Sequence, residues 1–410
     1  MQILFITHRL PYPPDKGERI RAFYELRYLA SRHEVDLFCF ADSQECAENQ
    51  RFLEGICRSV HVEVLKKPRR LLRAVNNFLA GRPMSFGFFH SRKFDESVRD
   101  ALRKNNYDVI FVYCSSMGAA VPRPAPAPLI VDFVDADSQK FNQYAARAGF
   151  LRRWLYTREA RAVADAEQSL GHASALSFAV TEHDARELTA GKENGFTVEV
   201  VPNGVEVPEV PDCQAESEVL QQKPFALFVG TMDYPPNSDA AAYFARDIFP
   251  QVRETHPELK FVIVGRNPDR QVRGLGTIPG VVVKGAVKDV FHYFRNAAVS
   301  VAPFRISQGF HNKIAESVAV GTPVITTSRA MAGIGLGERE GLFVADTTEE
   351  FAHKVNKVLE DPCLRSDLRK RASSVRELLS WDARLCKIEQ LMLQAAGRSV
   401  SPSCETVVGH

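Results

Sequence analysis

Residues 305–325 read RISQGFHNKIAESVAVGTPVI, between two short β-type runs, VSVA at 299–302 and VITT at 324–327. The first run closes at Pro303, and the spacing then predicts a loop holding Ser307 and Gly309. A helix follows from about His311 and stops at Gly321 and Pro323, since glycine ends helices and proline cannot continue them. Ile314, Ala315, Val318 and Ala319 make an apolar stripe suited to packing on a sheet. Asn312 and Glu316 are i,i+4 neighbours and Lys313 is i,i+3 to Glu316, so three polar groups share a face. Strand, glycine-bearing loop, helix and strand make one unit of a parallel α/β sheet. The amino end of such a helix presents unpaired N–H groups and positive dipole, which suits a phosphate. Arg305 and Lys313 add cationic charge, and Glu316 can accept from a pair of sugar hydroxyls. The pattern equally fits an ordinary amphipathic helix with solvated Lys and Glu.

Working outward, the same alternation fills the chain. Residues 2–7, 34–40, 60–65, 108–113, 129–134, 175–180 and 197–201 are Val-, Ile- and Phe-rich runs bounded by polar residues or proline. Helical patterns lie between them, for example Ile20, Phe23, Tyr24, Arg27 and Tyr28 on one face. A Pro-rich break at 202–224 reads as a linker. The pattern restarts at 225–229, 259–264, 281–284, 299–302, 324–327 and 342–344, then turns helical from about Thr347 to Ala396. The expected organisation is a Rossmann-like domain over 1–201, the linker, a second Rossmann-like domain over 225–380, a helix at 381–396 and a loose tail at 397–410. Two doubly wound halves face each other across a hinge in this reading, and ligands bind outside the carboxyl ends of such strands.

Composition excludes several classes. At 410 residues, the chain is too long for one ordinary core. Its 45% hydrophobic and 25% charged residues exclude wholesale disorder. No window offers the ~20 apolar residues of a spanning helix. The short apolar run at the amino terminus has no basic segment before it, so no secretion signal is expected and the cytoplasm is the expected compartment. The 8 cysteines are scattered, as for reduced, packed thiols rather than a disulfide frame or zinc site. A net charge of +2 gives no reason to expect a nucleic-acid partner.

Five stretches carry a family resemblance over nearly the whole chain: THRLPYPPDKGERIR (7–21), VDFVDADSQKF (131–141), VPNGV (201–205), FVGTMDYPPNSDA (228–240) and GFHNKIAESVAVGTPVI (309–325). The sequence resembles GT-B glycosyltransferases of the family 4 kind, particularly the sugar transferases associated with exopolysaccharide and exosortase systems. The resemblance implies a GT-B α/β fold and transfer of a sugar, with retention, from a UDP- or GDP-sugar to a saccharide or lipid-linked acceptor. It implies neither cofactor nor metal. The helix at 311–320 then holds the ribose through Glu316. The family's second Glu, eight positions earlier, is Gln308 here, which can hydrogen-bond but carries no charge. Many members place an Arg and a Lys after the first strand of the second domain. GTMDYPPN has neither, so the diphosphate falls to Arg305 and Lys313, with Ser307, Gly309 and Asn312 around it. Loops 265–270 and 285–289 are expected to read base and sugar.

The first domain supplies the other residues. In Pro11–Arg21, Gly17 allows close backbone approach to a donor phosphate, with Lys16 beside it, or is a plain turn glycine. Arg19 and Arg21 read as surface charges, and no G-x-G-x-x-G is present. His8 ends the first strand, where a side chain points into the cleft, or is a structural hydrogen bonder. In the run 132–138, DFVDADS, Asp135 and Asp137 are candidates for general base or acceptor orientation, Asp135 first. Helix capping by Asp137 or Ser138 is the structural alternative. D-A-D also matches a manganese-binding D-x-D, which leaves the second α/β half unexplained. Glu159 and Glu167, in one long helix over 138–171, read as surface or interhelix charges. A nucleotide-sugar epimerase and a non-catalytic donor-binding subunit of a polysaccharide assembly complex fit the same architecture.

Residues 64–94 hold eight Lys or Arg and no acid, with Leu71, Leu72, Val75, Phe78 and Leu79 on one helical face. RRWLY at 152–156 adds an aromatic anchor. The segment either lies on an anionic membrane at its inner face or packs its apolar side into the core.

Overall fold

A computed structural model of the chain describes residues 1–15, 17–42, 47–65, 67–190, 195–208, 224–306, 309–331 and 333–399. Lys16, Ser307, Gln308, most of the expected linker and the end of the expected tail lie outside the described residues. The chain forms two units: Met1–Val201 with Leu385–His410, and Pro202–Arg384.

Unit one is built on a seven-stranded sheet. Its strands are β1 (Gln2–Thr7), β2 (Glu34–Ala41), β3 (Ser59–Val64), β4 (Val109–Tyr113), β5 (Leu129–Asp132), β6 (Leu176–Ala179) and β7 (Val198–Val200). All pairings are parallel, in the order β3-β2-β1-β4-β5-β6-β7. Central strands covered by helices on both faces must be apolar throughout, which is why VIFVY at 109–113 is buried at every position. Chain order reverses between β1 and β4, and the crevice at a doubly wound sheet's switch point opens at those strand ends.

Unit two has six strands: β8 (Phe225–Val229), β9 (Lys260–Val264), β10 (Val281–Gly285), β11 (Val299–Ala302), β12 (Val324–Thr326) and β13 (Leu342–Val344). They are parallel in the order β10-β9-β8-β11-β12-β13, with the reversal between β8 and β11. The stretch 305–325 therefore leaves the sheet at its switch point. Three helices close the chain: Thr348–Glu360, opened by a Thr347/Glu350 capping box, then Pro362–Leu378 and Trp381–Ala395. From Leu385 onward the last helix belongs to unit one, where Glu389 accepts from Tyr28 Oη at 2.8 Å and lies 2.9 Å from His33 Nε2.

Four expectations are corrected. The long helix over 138–171 is two, Asp137–Arg147 and Phe150–Ala173, because Ala148 and Gly149 take extended backbone. Glu159 and Glu167 are buried, not surface charges. Glu159 accepts from Met84 N at 2.9 Å and Ser85 N at 2.7 Å, and Glu167 from Ser138 N at 3.3 Å. Arg21 is buried as well, and with Ala22, Glu25, Leu26 and Leu29 it turns the buried face of the helix Gly17–Ala30 away from the one expected, of which Phe23 and Tyr28 are buried. Cys57, Cys114 and Cys363 are free thiols, but Cys386 is disulfide-bonded. No helix among the described residues is long and apolar enough to cross a membrane.

Candidate functional site

In unit one, the carboxyl ends of β1, β4 and β5 surround a cavity of about 350 Å³. His8, Tyr113, Cys114, Val134, Asp135, Asp137 and Lys140 line it, so the three residues singled out for catalysis meet in one place. His8 stacks on Tyr113, with ring centroids 6.0 Å apart, and meets Phe89 edge-on at 5.0 Å. Burial, with Arg9 and Lys140 nearby, lowers its pKa to about 3, so the imidazole stays neutral. Its Nδ1 is buried without a hydrogen-bond partner among the described residues.

The turn that carries Asp135 is strained and held from below. Asp135 N donates to Phe133 O at 2.9 Å across Val134, whose φ is 68°. A β-branched residue rarely enters that region, so the turn must be over-determined by its surroundings. Val134 N donates to Asp132 Oδ1 at 2.7 Å, and Asp132 Oδ2 is gripped by Arg21 through Nε at 2.7 Å and Nη2 at 2.5 Å. Arg21 also donates to Val201 O at 2.8 Å and lies 2.9 Å from Glu25. Burial and the Asp132 charge push the Glu25 carboxyl well above its usual range. Cys114, at the end of β4, shares the positive φ at 68°, and its N donates to Asp132 O at 2.8 Å.

The carboxyls differ in setting. Asp135 opens on the cavity, yet the protein around its carboxyl and the neighbouring Asp184 and Asp137 raise its pKa to about 7. Asp137 is raised too, chiefly by burial, and accepts from Ser115 Oγ at 3.3 Å. The cap position of its helix is Ala136, with no side-chain cap. Burial drives the Cys114 thiol up to about 12, which makes it a poor nucleophile. Gly17 starts its helix, exposed, with open space where a Cβ would stand, and it is not among the residues lining the cavity.

In unit two, the stretch 309–325 forms the helix Asn312–Ala319, with His311 at its cap position and stacked on Phe304 at 4.3 Å. Gly309, just ahead, has φ 101°, which favours glycine. Lys313 Nζ donates to Asn237 Oδ1 at 2.6 Å and sits over the rings of Phe304, at 4.7 Å, and Phe228, at 5.2 Å. Asn237 Nδ2 donates to Thr231 O at 2.9 Å, so one amide joins the turn after β8 to the lysine. Burial lowers Lys313 to about 7 and raises Glu316 to about 7, each opposed by the other's charge. Asn312 accepts from Asn203 Nδ2 at 3.2 Å. Arg305 is turned to Asp239, donating from Nη2 at 2.6 Å and Nε at 3.2 Å, and lies over the Tyr243 ring at 4.4 Å. Its charge is therefore already matched, whereas that of Lys313 meets only an amide and two rings in these contacts. Sequence reasoning missed Asn237, Lys140, Asp184 and the strained Val134. The one signal pointing there was that GTMDYPPN, 230–237, has no basic residue where the resemblance led one to be expected.

Residues 223–361, the bulk of unit two, match the family model described as Glycosyl transferases group 1. No curated protein sequence matches the chain. Among solved structures it is similar to sucrose-phosphate synthase (tll1590) from Thermosynechococcus elongatus, at 16% identity and a TM-score of 0.68, covering 97% of this chain and 100% of that one. It is also similar to Anabaena Alr3699/HepE in complex with UDP and glucose, at 14% identity and a TM-score of 0.65 over 96% of this chain and 100% of that one. A third likeness is to WaaG, a glycosyltransferase involved in lipopolysaccharide biosynthesis, at 15% identity and 0.63 over 95% and 99%. At such identities the likeness establishes the fold: two parallel-sheet α/β units of the GT-B type.

Proposed function

We propose that the chain is a retaining glycosyltransferase that moves a hexose from a UDP- or GDP-sugar to a saccharide or lipid-linked acceptor in exopolysaccharide biosynthesis. The observation that carries this reading is the pair Lys313 and Glu316, both held near pKa 7 on the helix that leaves unit two's switch point. That helix lies inside the segment matching Glycosyl transferases group 1.

In this reading the diphosphate sits at the helix start, against its unpaired N–H groups and the Lys313 ammonium. Glu316 accepts from the ribose hydroxyls. The bond between the sugar's anomeric carbon and the diphosphate breaks, and one to the acceptor oxygen forms. Asp135 takes the acceptor's proton, and its pKa near 7 suits a base at neutral pH. His8, neutral throughout, orients a hydroxyl by hydrogen bonding. Lys313 and the helix end supply the charge compensation that a metal provides elsewhere, so transfer continues in EDTA. Loss of activity in EDTA with rescue by manganese would instead favour Asp135 and Asp137 as a D-x-D pair.

The decisive measurement combines a thermal-shift screen against UDP, GDP and their sugars with product analysis. A transferase binds donor and releases nucleotide in step with acceptor consumption. Conversion of the sugar nucleotide without acceptor would indicate an epimerase, and binding with no turnover on any acceptor pool a donor-binding subunit. Glu316→Ala is expected to abolish most turnover in a folded protein, and near-normal activity would remove its assigned role. We also place the protein in the cytoplasm, peripheral on the inner face of the membrane.

A further inference from the structure

Helix Lys67–Leu79 is turned inside out. Leu71, Leu72, Val75 and Leu79 fall within one third of its circumference, the arc normally packed on a core, and are 63%, 63%, 45% and 77% exposed. The helix Phe150–Ala173 begins in the same way, with Phe150, Leu151 and Trp154 exposed by 87%, 81% and 61%. The two apolar edges are one surface. Phe78 and Trp154 meet edge to face at 6.2 Å, and Arg158 lies over the Phe78 ring at 4.1 Å while donating to Phe78 O at 2.6 Å. Single exposed leucines are ordinary, but a joined set of seven large apolar side chains is not.

We infer that this face of unit one docks on an anionic lipid bilayer. Its charge selects that occupant. Neither 64–94 nor 150–158 contains an Asp or Glu, while Arg82, Arg152 and Arg153 are exposed and Arg158 lies over the Phe78 ring. The next acid in sequence, Glu159, is buried, accepts from Met84 N and Ser85 N and lies 3.6 Å from Arg158 Nη1. A cavity of about 610 Å³ beside Trp154, lined by Arg153, Arg158 and Arg161 as well as Asp165, takes a lipid headgroup phosphate. A second copy of the chain is disfavoured, because a two-fold contact would set these arginines against themselves. The leucines and phenylalanine enter the acyl boundary, Trp154 sits at headgroup level, and the arginines meet lipid phosphates. The inference supplies the surface for the peripheral location proposed above. It does not rest on the glycosyl-transfer reading, so either can fail without the other.

The test is flotation of the full chain, without donor, on phosphatidylcholine vesicles with and without phosphatidylglycerol. Binding is expected only to the phosphatidylglycerol vesicles and is expected to fall steeply with added salt. Leu72→Asp with Leu79→Asp, and separately Arg152→Glu with Arg153→Glu, should each lower the bound fraction about tenfold or more. These positions lie on the surface, so unchanged thermal unfolding verifies the fold of each variant. Equal binding to both vesicle types, or variants that bind like the parent, would overturn the inference. So would a concentration-dependent dimer that Leu79→Asp abolishes in a protein that ignores vesicles.

Discussion

Arg21 and Asp132 lie 111 residues apart in sequence and form a pair excluded from water, with Nη2 2.5 Å from Oδ2 and the two side chains 1% and 0% exposed. The same carboxylate holds Val134 N from its other oxygen, so the pair is the floor beneath the turn that presents Asp135. Breaking a buried pair from one side strands the partner's charge, at a cost of about 3–5 kcal/mol. Arg21→Met is expected to lower stability by that amount in denaturant titration. Arg21→Lys should recover only part, since an ammonium does not reproduce the guanidinium fork that also reaches Val201 O. A loss under about 1 kcal/mol for Arg21→Met would show that the pair is not what fixes the turn.

Asp135 makes the pH dependence predictable in sign. With its pKa raised to about 7, the group is a competent base only above that pH, so kcat should rise through about pH 7. Asp135→Asn is expected to lower kcat roughly 100-fold or more and to erase this acid limb. Stability should move the other way. Between the unfolded and folded pKa values the folded state holds the extra proton, so this group's contribution is present at low pH and is lost as pH rises towards 7. Asp135→Asn should therefore melt higher than the parent above neutrality and differ little in acid. His8, lowered to about 3, should leave the profile's shape unchanged when replaced by Asn.

The sequence was most legible where burial is two-sided. Strands such as QILFIT at 2–7 and FALFV at 225–229 carry apolar side chains on both faces, and the switch-point rule then locates the ends of β1, β4, β8 and β11. That rule is why His8, Asp135 and Asp137 could be grouped without a structure. Buried charge was not legible. Arg21, Glu25, Glu159 and Glu167 look like solvated residues until a partner is known, and for Arg21, on a helix, that partner is at the end of β5, 111 residues away. Arg305 read as a spare cation because Asp239, 66 residues earlier, gives no sign of reaching it. Val134 is hidden for the opposite reason: its β-branched side chain argues against the conformation it holds.

Two glycines from the same set of motifs should behave differently. In Pro202–Val205, a Cβ on Gly204 would stand 2.5 Å from Trp381 Cα and 2.6 Å from its N. Val205 N donates to Leu379 O at 2.7 Å, so this segment is clamped where the added carbon intrudes. Gly204→Ala is expected to destabilise by about 1–3 kcal/mol through overpacking. A Cβ on Gly17 meets nothing within 4 Å, so Gly17→Ala should leave the unfolding midpoint unchanged. Any rise in KM for donor in that folded variant would then report a ligand approaching its backbone, and an unaltered KM would remove Gly17 from the donor site.

Lys313 offers the sharpest test of where the diphosphate lies. Held near 7, it is an ammonium below neutrality and an amine above it, whereas a lysine at its ordinary value stays charged throughout. UDP or GDP affinity should therefore weaken as pH rises from about 6 to about 8, because less of the protein carries the cation. Binding at neutral pH should draw in a fraction of a proton, since the diphosphate favours the charged form. Calorimetry in two buffers of different ionisation enthalpy reads that uptake directly. Lys313→Ala should weaken binding roughly 10- to 100-fold, the worth of a charged hydrogen bond, and remove the lysine's part of the uptake and of the pH slope. Arg305→Ala should do much less, because its charge already faces Asp239 at 2.6 Å. If Arg305→Ala proves the more damaging, or if Lys313→Ala leaves the proton uptake intact, the phosphate sits elsewhere on unit two and the helix start is only a structural cap.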